Sequence, residues 1–165
     1  MKKILIVSDT HGSIDSIKSV IKKEKPDYTI HAGDFCVDID FMKEHFSHFV
    51  AGNNDVEGSE ILEFSIDNIN FVLTHGHRII TFFSFHNTKM ERLNEFLISK
   101  NADVLIFGHT HIEMFEKNND LFILNPGSLV YPRNTNSKKT YMILHIDNGK
   151  ILEKNLNDSI RYFSS

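Results

Sequence analysis

The stretch VLIFGHTHIEM, residues 104–114, runs four apolar residues into Gly108 and then sets His109 and His111 one residue apart. A buried imidazole is costly unless its ring nitrogens find partners. Two of them together at the end of an apolar run imply something shared. The same design recurs elsewhere. Asp9 and His11 follow KKILIV, Asp34 follows YTIHAG, Asn53 follows HFVAG, and His75, with His77, follows NFVLT. Each apolar run ends beside a glycine and a side chain able to bind metal. In open α/β sheets, ligands gather outside the carboxyl ends of the strands, so these segments deliver nitrogen and oxygen donors to one rim.

Two aspartates and several imidazoles on one rim would repel or shift their protonation without a counter-charge. Divalent metal removes the difficulty, and imidazole, carboxylate and amide donors together suit Mn, Ni, Zn, Fe or Co. Two such ions against two aspartates leave the site at about +2, which favours a phosphate group. A metal pair roughly 3.5–4 Å apart clamps a phosphoryl centre and lowers the pKa of bound water toward neutrality. On this reading His109 and His111 each serve one of two neighbouring ions.

The rest of the chain gives an α/β pattern. KKILIVSD reads as a buried strand. SIDSIKSVIKKEK reads as an amphipathic helix, with Ser13 as N-cap and Pro26 after its end, and DYTIHAGD as a second strand parallel to the first. FMKEHF is a short helix and HFVAG a third strand. Hairpins turn at Asp67-Asn68, about Asn118–Asp120, and at Asn148-Gly149, the last running KTYMILHIDNGKILEKNL. TKMERLNEFLISK is a helix with Met90, Leu93, Phe96 and Leu97 on one face. So many strands do not fit one small open sheet, and two stacked sheets with helices outside is the economical layering.

The motifs D-x-H (Asp9, His11), G-D (Gly33, Asp34), G-N-x-D (Gly52, Asn53, Asn54, Asp55), H-G-H (His75–His77) and G-H-T-H (Gly108–His111) resemble the motif series of the calcineurin-like metallophosphoesterases. Their order and spacing are similar to the small, single-domain phosphodiesterases of bacteria and archaea. The resemblance implies one domain over residues 1–165, a four-layer α/β/β/α sandwich of two mixed β-sheets flanked by helices, and a dinuclear centre, manganese first. One ion would take Asp9, His11, Asp34 and His111. The other would share Asp34 and add Asn53, His75 and His109. A hydroxide between the metals would attack phosphorus. Asn53, Asn54, Asp55 and His75 fall at the positions of the catalytic motifs. The wider superfamily often has His where this chain has Asn54, and an amide cannot deliver a proton. Leaving groups that need no protonation should therefore be cleaved more readily. Asp55 is expected to orient its motif.

Other residues read more plainly. His75 is nearer its strand end than His77 and is favoured as the ligand, His77 standing behind it or touching phosphate. His31 reads as a satisfied core histidine, and His45, His48, His86 and His145 as ordinary. Asn125–Ser128 reads as a turn under the last histidine motif, Arg133 as a solvated cation, and Cys36 as a small apolar residue. IITFFSFH, residues 79–86, is either core or an apolar wall suited to an aromatic substrate or a homodimer contact.

At 165 residues, 41% hydrophobic and net charge −4, the chain carries no basic stripe for nucleic acid and no 18-residue apolar run for a membrane. With one cysteine and no leader pattern, a cytoplasmic location is expected. The leading function is a metal-dependent phosphodiesterase acting on a small phosphoester. A phosphomonoesterase, or a weakly active interaction scaffold resembling the retromer subunit, is the alternative.

Overall fold

Ile4 and Ile6 belong to one cluster of buried side chains and Leu5 and Val7 to another, so the first strand is buried on both faces. That alternation is what a central strand requires when it lies between a second sheet and a layer of helices. The computed structural model describes residues 1–80 and 88–164. In chain order its elements are β1 (Lys2–Val7), α1 (Ile14–Glu24), β2 (Tyr28–His31), α2 (Ile39–His45), β3 (His48–Phe49), β4 (Ile61–Ile66), β5 (Ile69–Thr74), α3 (His77–Ile80), α4 (Lys89–Ser99), β6 (Val104–Ile106), β7 (Glu113–Asn118), β8 (Leu121–Pro126), β9 (Thr140–Asp147), β10 (Lys150–Ile151), α5 (Leu156–Ser159) and β11 (Ile160–Tyr162).

Two mixed sheets result. One has the order β10-β9-β1-β2-β3, with β1, β2 and β3 parallel, β9 antiparallel to β1, and β11 also pairing with β9. The other has the order β4-β5-β6-β8-β7, with a parallel centre and antiparallel edges. Ile4, Ile6, Ile30, Phe71, Ile106 and Leu144 fill the space between the sheets. On the outer face of the first sheet, Leu5 and Val7 meet Ile17 and Val20 of α1 and Met42 of α2. On the outer face of the second, Val72, Leu105 and Ile123 meet Leu93 and Leu97 of α4. The layering is helix, sheet, sheet, helix, as expected. Among the described residues no helix is long and apolar enough to cross a membrane.

Local chemistry explains most boundaries. Asp67 and Asn68, and Asn148 and Gly149, have positive φ at both central turn positions, as a two-residue type I′ hairpin demands. Thr88 and Glu91 form a reciprocal capping box at the start of α4. Ser13 is the N-cap of α1, but its hydroxyl donates to Ser16 Oγ and makes no side-chain cap bond.

Three expectations need correction. The short helix expected at FMKEHF begins earlier, at Ile39, because the Asp38 carboxylate caps it by accepting from Asp40 N–H. The third strand pairs only at His48–Phe49. The last hairpin's second arm pairs only at Lys150–Ile151. The chain then makes one helical turn, capped by Asn155, and returns to β9 as β11, so two short segments share one edge where a single long arm was expected. Of the apolar stretch 79–86, Ile79 and Ile80 lie in α3 and pack against the outer core of the second sheet, and residues 81–86, His86 among them, lie outside the described residues.

Ile106 lies at the centre of the inter-sheet layer and is fully buried. Ile106→Ala is expected to destabilise the fold by about 2–5 kcal/mol, read as a lowered urea midpoint with an unchanged slope.

Candidate metal centre

Three loops at the carboxyl ends of β1, β2 and β6 share one backbone signature, with two residues two positions apart both in the left-handed region. φ is 54° at Asp9 and 40° at His11, 57° at Asp34 and 53° at Cys36, and 66° at His109 and 59° at His111. Non-glycine residues seldom sit there, and such strain persists only where the surroundings impose it. Here the loops hold one another. Asp9 N–H donates to Gly33 O at 3.0 Å, His11 N–H to Asp34 O at 3.0 Å, and Gly12 N–H to Phe35 O at 2.8 Å. The Asp55 carboxylate accepts from four backbone N–H groups, those of Gly52, Asp34, Phe35 and Cys36, and so straps the β2 loop to the β3 loop. A Cβ on Gly52 would collide with Asp34 Oδ1, and one on Gly108 with Ser8 Oγ, so both positions require glycine.

The side chains are then aimed one by one. Asp9 Oδ2 accepts from Ser8 Oγ at 2.6 Å and His109 N–H at 3.0 Å, which turns Oδ1 inward. His75 Nδ1 donates to Ala32 O at 2.7 Å and His111 Nδ1 to Tyr131 O at 2.6 Å. A carbonyl can only accept, so in the neutral rings both Nδ1 atoms hold the proton and both Nε2 atoms present a lone pair. Those lone pairs face carboxylates: His75 Nε2 is 3.3 Å from Asp34 Oδ2 and 3.8 Å from Asp9 Oδ1, and His111 Nε2 is 3.1 Å from Asp9 Oδ1. His11 Nε2 lies 3.8 Å from both Asp9 Oδ1 and Asp34 Oδ2, and 3.4 Å from His111 Nε2. Among the described residues, buried Asp9 Oδ1 and His75 Nε2 have no hydrogen-bond partner.

Acceptors at this range repel unless a positive charge lies between them. The group chemistry shows the same pressure. Burial opposes ionisation of Asp9, but the His111 and His75 rings outweigh it and hold the carboxyl below its ordinary range. Burial likewise opposes ionisation of Asp34, and His75 and the Asn54 amide outweigh it more strongly. Burial works against a charge on His75, yet the adjacent Asp34 and Asp9 raise its pKa on balance. His77 and His109 are lowered, first by burial and then by His75.

Two trios of donor atoms cluster tightly enough to hold an ion: Asp9, His11 and His111, and Asp9, Asp34 and His75, each with its ligand atoms within 4.8 Å of one another. Asp9 is the member common to both, where the resemblance implies Asp34 as the bridge. Asn53 is exposed in the turn after Gly52. His109 belongs to neither trio and stands with its ring 5.2 Å from that of His75. His77 starts α3 with its ring 5.5 Å from His75 and 6.1 Å from His109. Asn54 is turned onto Asp34, its backbone N–H donating to Oδ1 at 2.9 Å and its side-chain amide to Oδ2 at 2.8 Å.

His31 is the satisfied core histidine expected. Its Nδ1 accepts from Gly33 N–H and its Nε2 donates to Thr10 Oγ1, and complete burial pushes its pKa down to about 3. His45 donates to Phe41 O, His48 stacks on Phe64, and His145 pairs with Glu153. Arg133 is exposed, and its backbone N–H donates to His111 O. Asn125 donates to Gly108 O and Thr110 Oγ1, and Ser128 Oγ donates to Asp9 O, so the NPGS turn braces both loops. Sequence reasoning missed Ser8 and the Tyr131 carbonyl. A carbonyl is common to every residue, so nothing in the sequence could single it out.

The model of the calcineurin-like phosphoesterase superfamily domain matches residues 1–149. A probable metallophosphoesterase of Mycoplasma pneumoniae is 42% identical over 153 residues, covering 92% of this chain and 94% of its own. Phosphodiesterase MJ0936 of Methanocaldococcus jannaschii is 33% identical over 150 residues, covering 76% and 82%. Among solved structures, a conserved uncharacterised protein of Streptococcus pneumoniae, described as a predicted phosphoesterase, superposes with a TM-score of 0.78 at 24% identity over 99% of this chain and 98% of its own. Zinc-complexed Vps29 of Entamoeba histolytica superposes with a TM-score of 0.71 at 22% identity, over 90% and 88%. Identities this low carry the fold alone.

Without a bound cation, a proton on His75 relieves the crowding. Its pKa is raised, so its contribution to stability is full below the ordinary value of 6.5 and is lost as pH rises through the raised value. Asp9 and Asp34 act oppositely, contributing above the ordinary 3.8 and losing that contribution as pH falls through their depressed values. A cation taken up among Asp9, Asp34 and His75 would have to displace the His75 proton. Divalent-cation affinity is therefore expected to fall as pH drops through the raised His75 value, with protons released on binding. Calorimetry in two buffers of different ionisation enthalpy reads both effects.

Proposed function

We propose that this chain, a hydrolase belonging to the calcineurin-like phosphoesterase superfamily, is a metal-dependent phosphodiesterase working on a small phosphoester at a dinuclear centre. One observation carries the reading: buried Asp9 Oδ1 and His75 Nε2, 3.8 Å apart, lack hydrogen-bond partners among the described residues and face one common space. The donor set fits divalent cations of the manganese-to-zinc series, and we take manganese as first choice and the cytoplasm as the place of action.

Asp9, His11 and His111 would hold one ion, and Asp9, Asp34 and His75 the other, with Asn53 and His109 completing the shells. Bound there, two divalent ions supply Lewis acidity toward a phosphoryl oxygen and water of lowered pKa. The chain's own residues do the rest. The Ala32 and Tyr131 carbonyls keep the His75 and His111 rings from rotating. Ser8 and the His109 N–H fix the Asp9 carboxylate. Asn54 steadies Asp34 through both its oxygens and has no proton to give a departing alkoxide. The surplus positive charge favours a phosphoester anion over a neutral ester. The alternatives, a phosphomonoesterase and a protein scaffold, gain no specific observation, since the Vps29 likeness concerns the fold.

Protein stripped by chelator is expected to lose hydrolysis of bis-p-nitrophenyl phosphate and to regain it with manganese or nickel. Asp9→Asn should lower kcat/KM by roughly a thousandfold or more while circular dichroism stays unchanged. A loaded wild type with no turnover across a panel of monoesters and diesters would favour the scaffold. Asn54 also implies a steep leaving-group dependence. In a series of aryl diesters, kcat is expected to fall continuously as the phenol pKa rises, and a flat series would show that another group protonates the leaving oxygen.

A further inference from the structure

Tyr131 is tied by its backbone to one trio of donors and leans on the same trio with its ring. Its carbonyl accepts from His111 Nδ1 at 2.6 Å, and its N–H donates to Ser128 Oγ at 2.8 Å. Ser128 Oγ in turn donates to Asp9 O. Two residues on, Arg133 N–H donates to His111 O, so this segment is zipped to the His111 loop. The Tyr131 ring stands against the His11 ring, with centroids 5.5 Å apart and planes inclined by 61°. His11 and His111 are the two imidazoles of the trio completed by Asp9.

Tyr131 is 61% exposed, and with its N–H and C=O both engaged that exposure belongs to the side chain. Tyr162 is also exposed, but the Lys138 ammonium lies over its ring, 4.9 Å from the centroid. Among the described residues the Tyr131 ring meets His11 and no other ring or cation. An exposed ring is ordinary on a surface. This one differs in that its backbone is held at both ends and its ring abuts a candidate ligand. Within that trio His11 is the open member, its side chain 21% exposed against 6% for His111 and 0% for Asp9. The way into this half of the centre therefore passes His11, and Tyr131 is the wall beside it. An ester anchored there by its phosphoryl group would lay one arm along the tyrosine. A planar arm gains a ring-on-ring contact that a saturated arm of equal size does not. A tyrosine with a fixed backbone has only two side-chain torsions to lose in making that contact.

We propose that Tyr131 is a specificity-determining residue whose ring packs against a planar aromatic group on one ester arm of a phosphodiester, the group standing either on the ester oxygen or one sugar away from it. The proposal rests on the phosphodiesterase reading above and adds the substrate class to it.

Two matched pairs of p-nitrophenyl phosphodiesters test it. In one pair the second arm is phenyl or cyclohexyl. In the other it is thymidine, joined through its 5′ oxygen, or the same sugar without its base. Within each pair the ratio of kcat/KM, aromatic over non-aromatic, is divided by the same ratio for Tyr131→Leu, which cancels the intrinsic reactivity of the esters. Every variant keeps the backbone N–H and C=O that join Ser128 and His111. With manganese-loaded protein that quotient is expected to be about fivefold in at least one pair, carried mainly by KM, and Tyr131→Phe should preserve it. The pair that responds tells where on the arm the ring stands. A readout independent of turnover is calorimetric binding to the loaded protein of phenylphosphonate against cyclohexylphosphonate, and of thymidine 5′-monophosphate against the base-less sugar phosphate. The same pair should respond, by about fivefold in Kd, and should lose its difference in Tyr131→Leu. Quotients near one in both pairs, in turnover or in binding, would overturn the assignment. So would a loss in Tyr131→Phe equal to that in Tyr131→Leu, which would make the hydroxyl the working group. If bis-p-nitrophenyl phosphate is turned over and both quotients are near one, only the Tyr131 assignment fails. If the wild type turns over no diester, the hydrolase reading fails and takes the assignment with it.

Discussion

An imidazole whose Nδ1 proton is committed to a backbone carbonyl has only a lone pair left at Nε2. His75 and His111 are both fixed this way, and both direct that lone pair at the carboxylates of Asp9 and Asp34. Acceptors facing acceptors at 3.1–3.3 Å are unstable in a buried setting until something positive stands among them. A proton can do this in part, which is why His75 holds one more tightly than a free imidazole despite its burial. A divalent ion does it more completely, because it satisfies several donors at once without choosing one ring. The bonds around the centre serve this confrontation: Ser8 on Asp9, Asn54 on Asp34, Asp55 on the β2 loop, Asn125 and Ser128 beneath the His109 loop.

Maintaining it strains the backbone. Six non-glycine residues in three loops adopt left-handed conformations, each costing roughly 1–3 kcal/mol, and a whole domain is stable by only about 5–15 kcal/mol. The fold can sustain this because the loops spring from central strands buried on both faces, and because the loops continue the backbone pairing past the strand ends, as in Asp9 to Gly33 and His11 to Asp34. The parallel order of β1, β2 and β3, and of β5 and β6, brings the carboxyl ends of five strands to one rim. An antiparallel arrangement of the same strands would scatter the donors to opposite ends.

Much of this was legible in the sequence because its signals are local or periodic. The continuous apolar run Ile4-Leu5-Ile6-Val7 marked a buried strand, Asn148-Gly149 marked a hairpin, and the donors at strand ends marked the rim. What stayed hidden depends on geometry. No pattern distinguishes Asp9 from Asp34 as the carboxylate common to both trios, since that follows from the inward turn of Asp9 Oδ1 once Ser8 and the His109 N–H hold Oδ2. Asn54 looked like a substitute for a substrate-facing histidine, and its amide instead bonds Asp34. The short β11 strand gave too little signal, because three residues have no measurable period and its pairing comes from the edge that β9 leaves open beyond β10.

The central claim is that Asp9, His75 and His111 are built around cations. Anomalous diffraction from a crystal of the chain grown with manganese tests it most directly. The account predicts two peaks roughly 3.5–4 Å apart, both within coordination distance of Asp9 Oδ1, with His111 Nε2 on one and His75 Nε2 on the other. A fully ordered centre without a peak, its imidazoles instead donating protons to the two carboxylates, would contradict it.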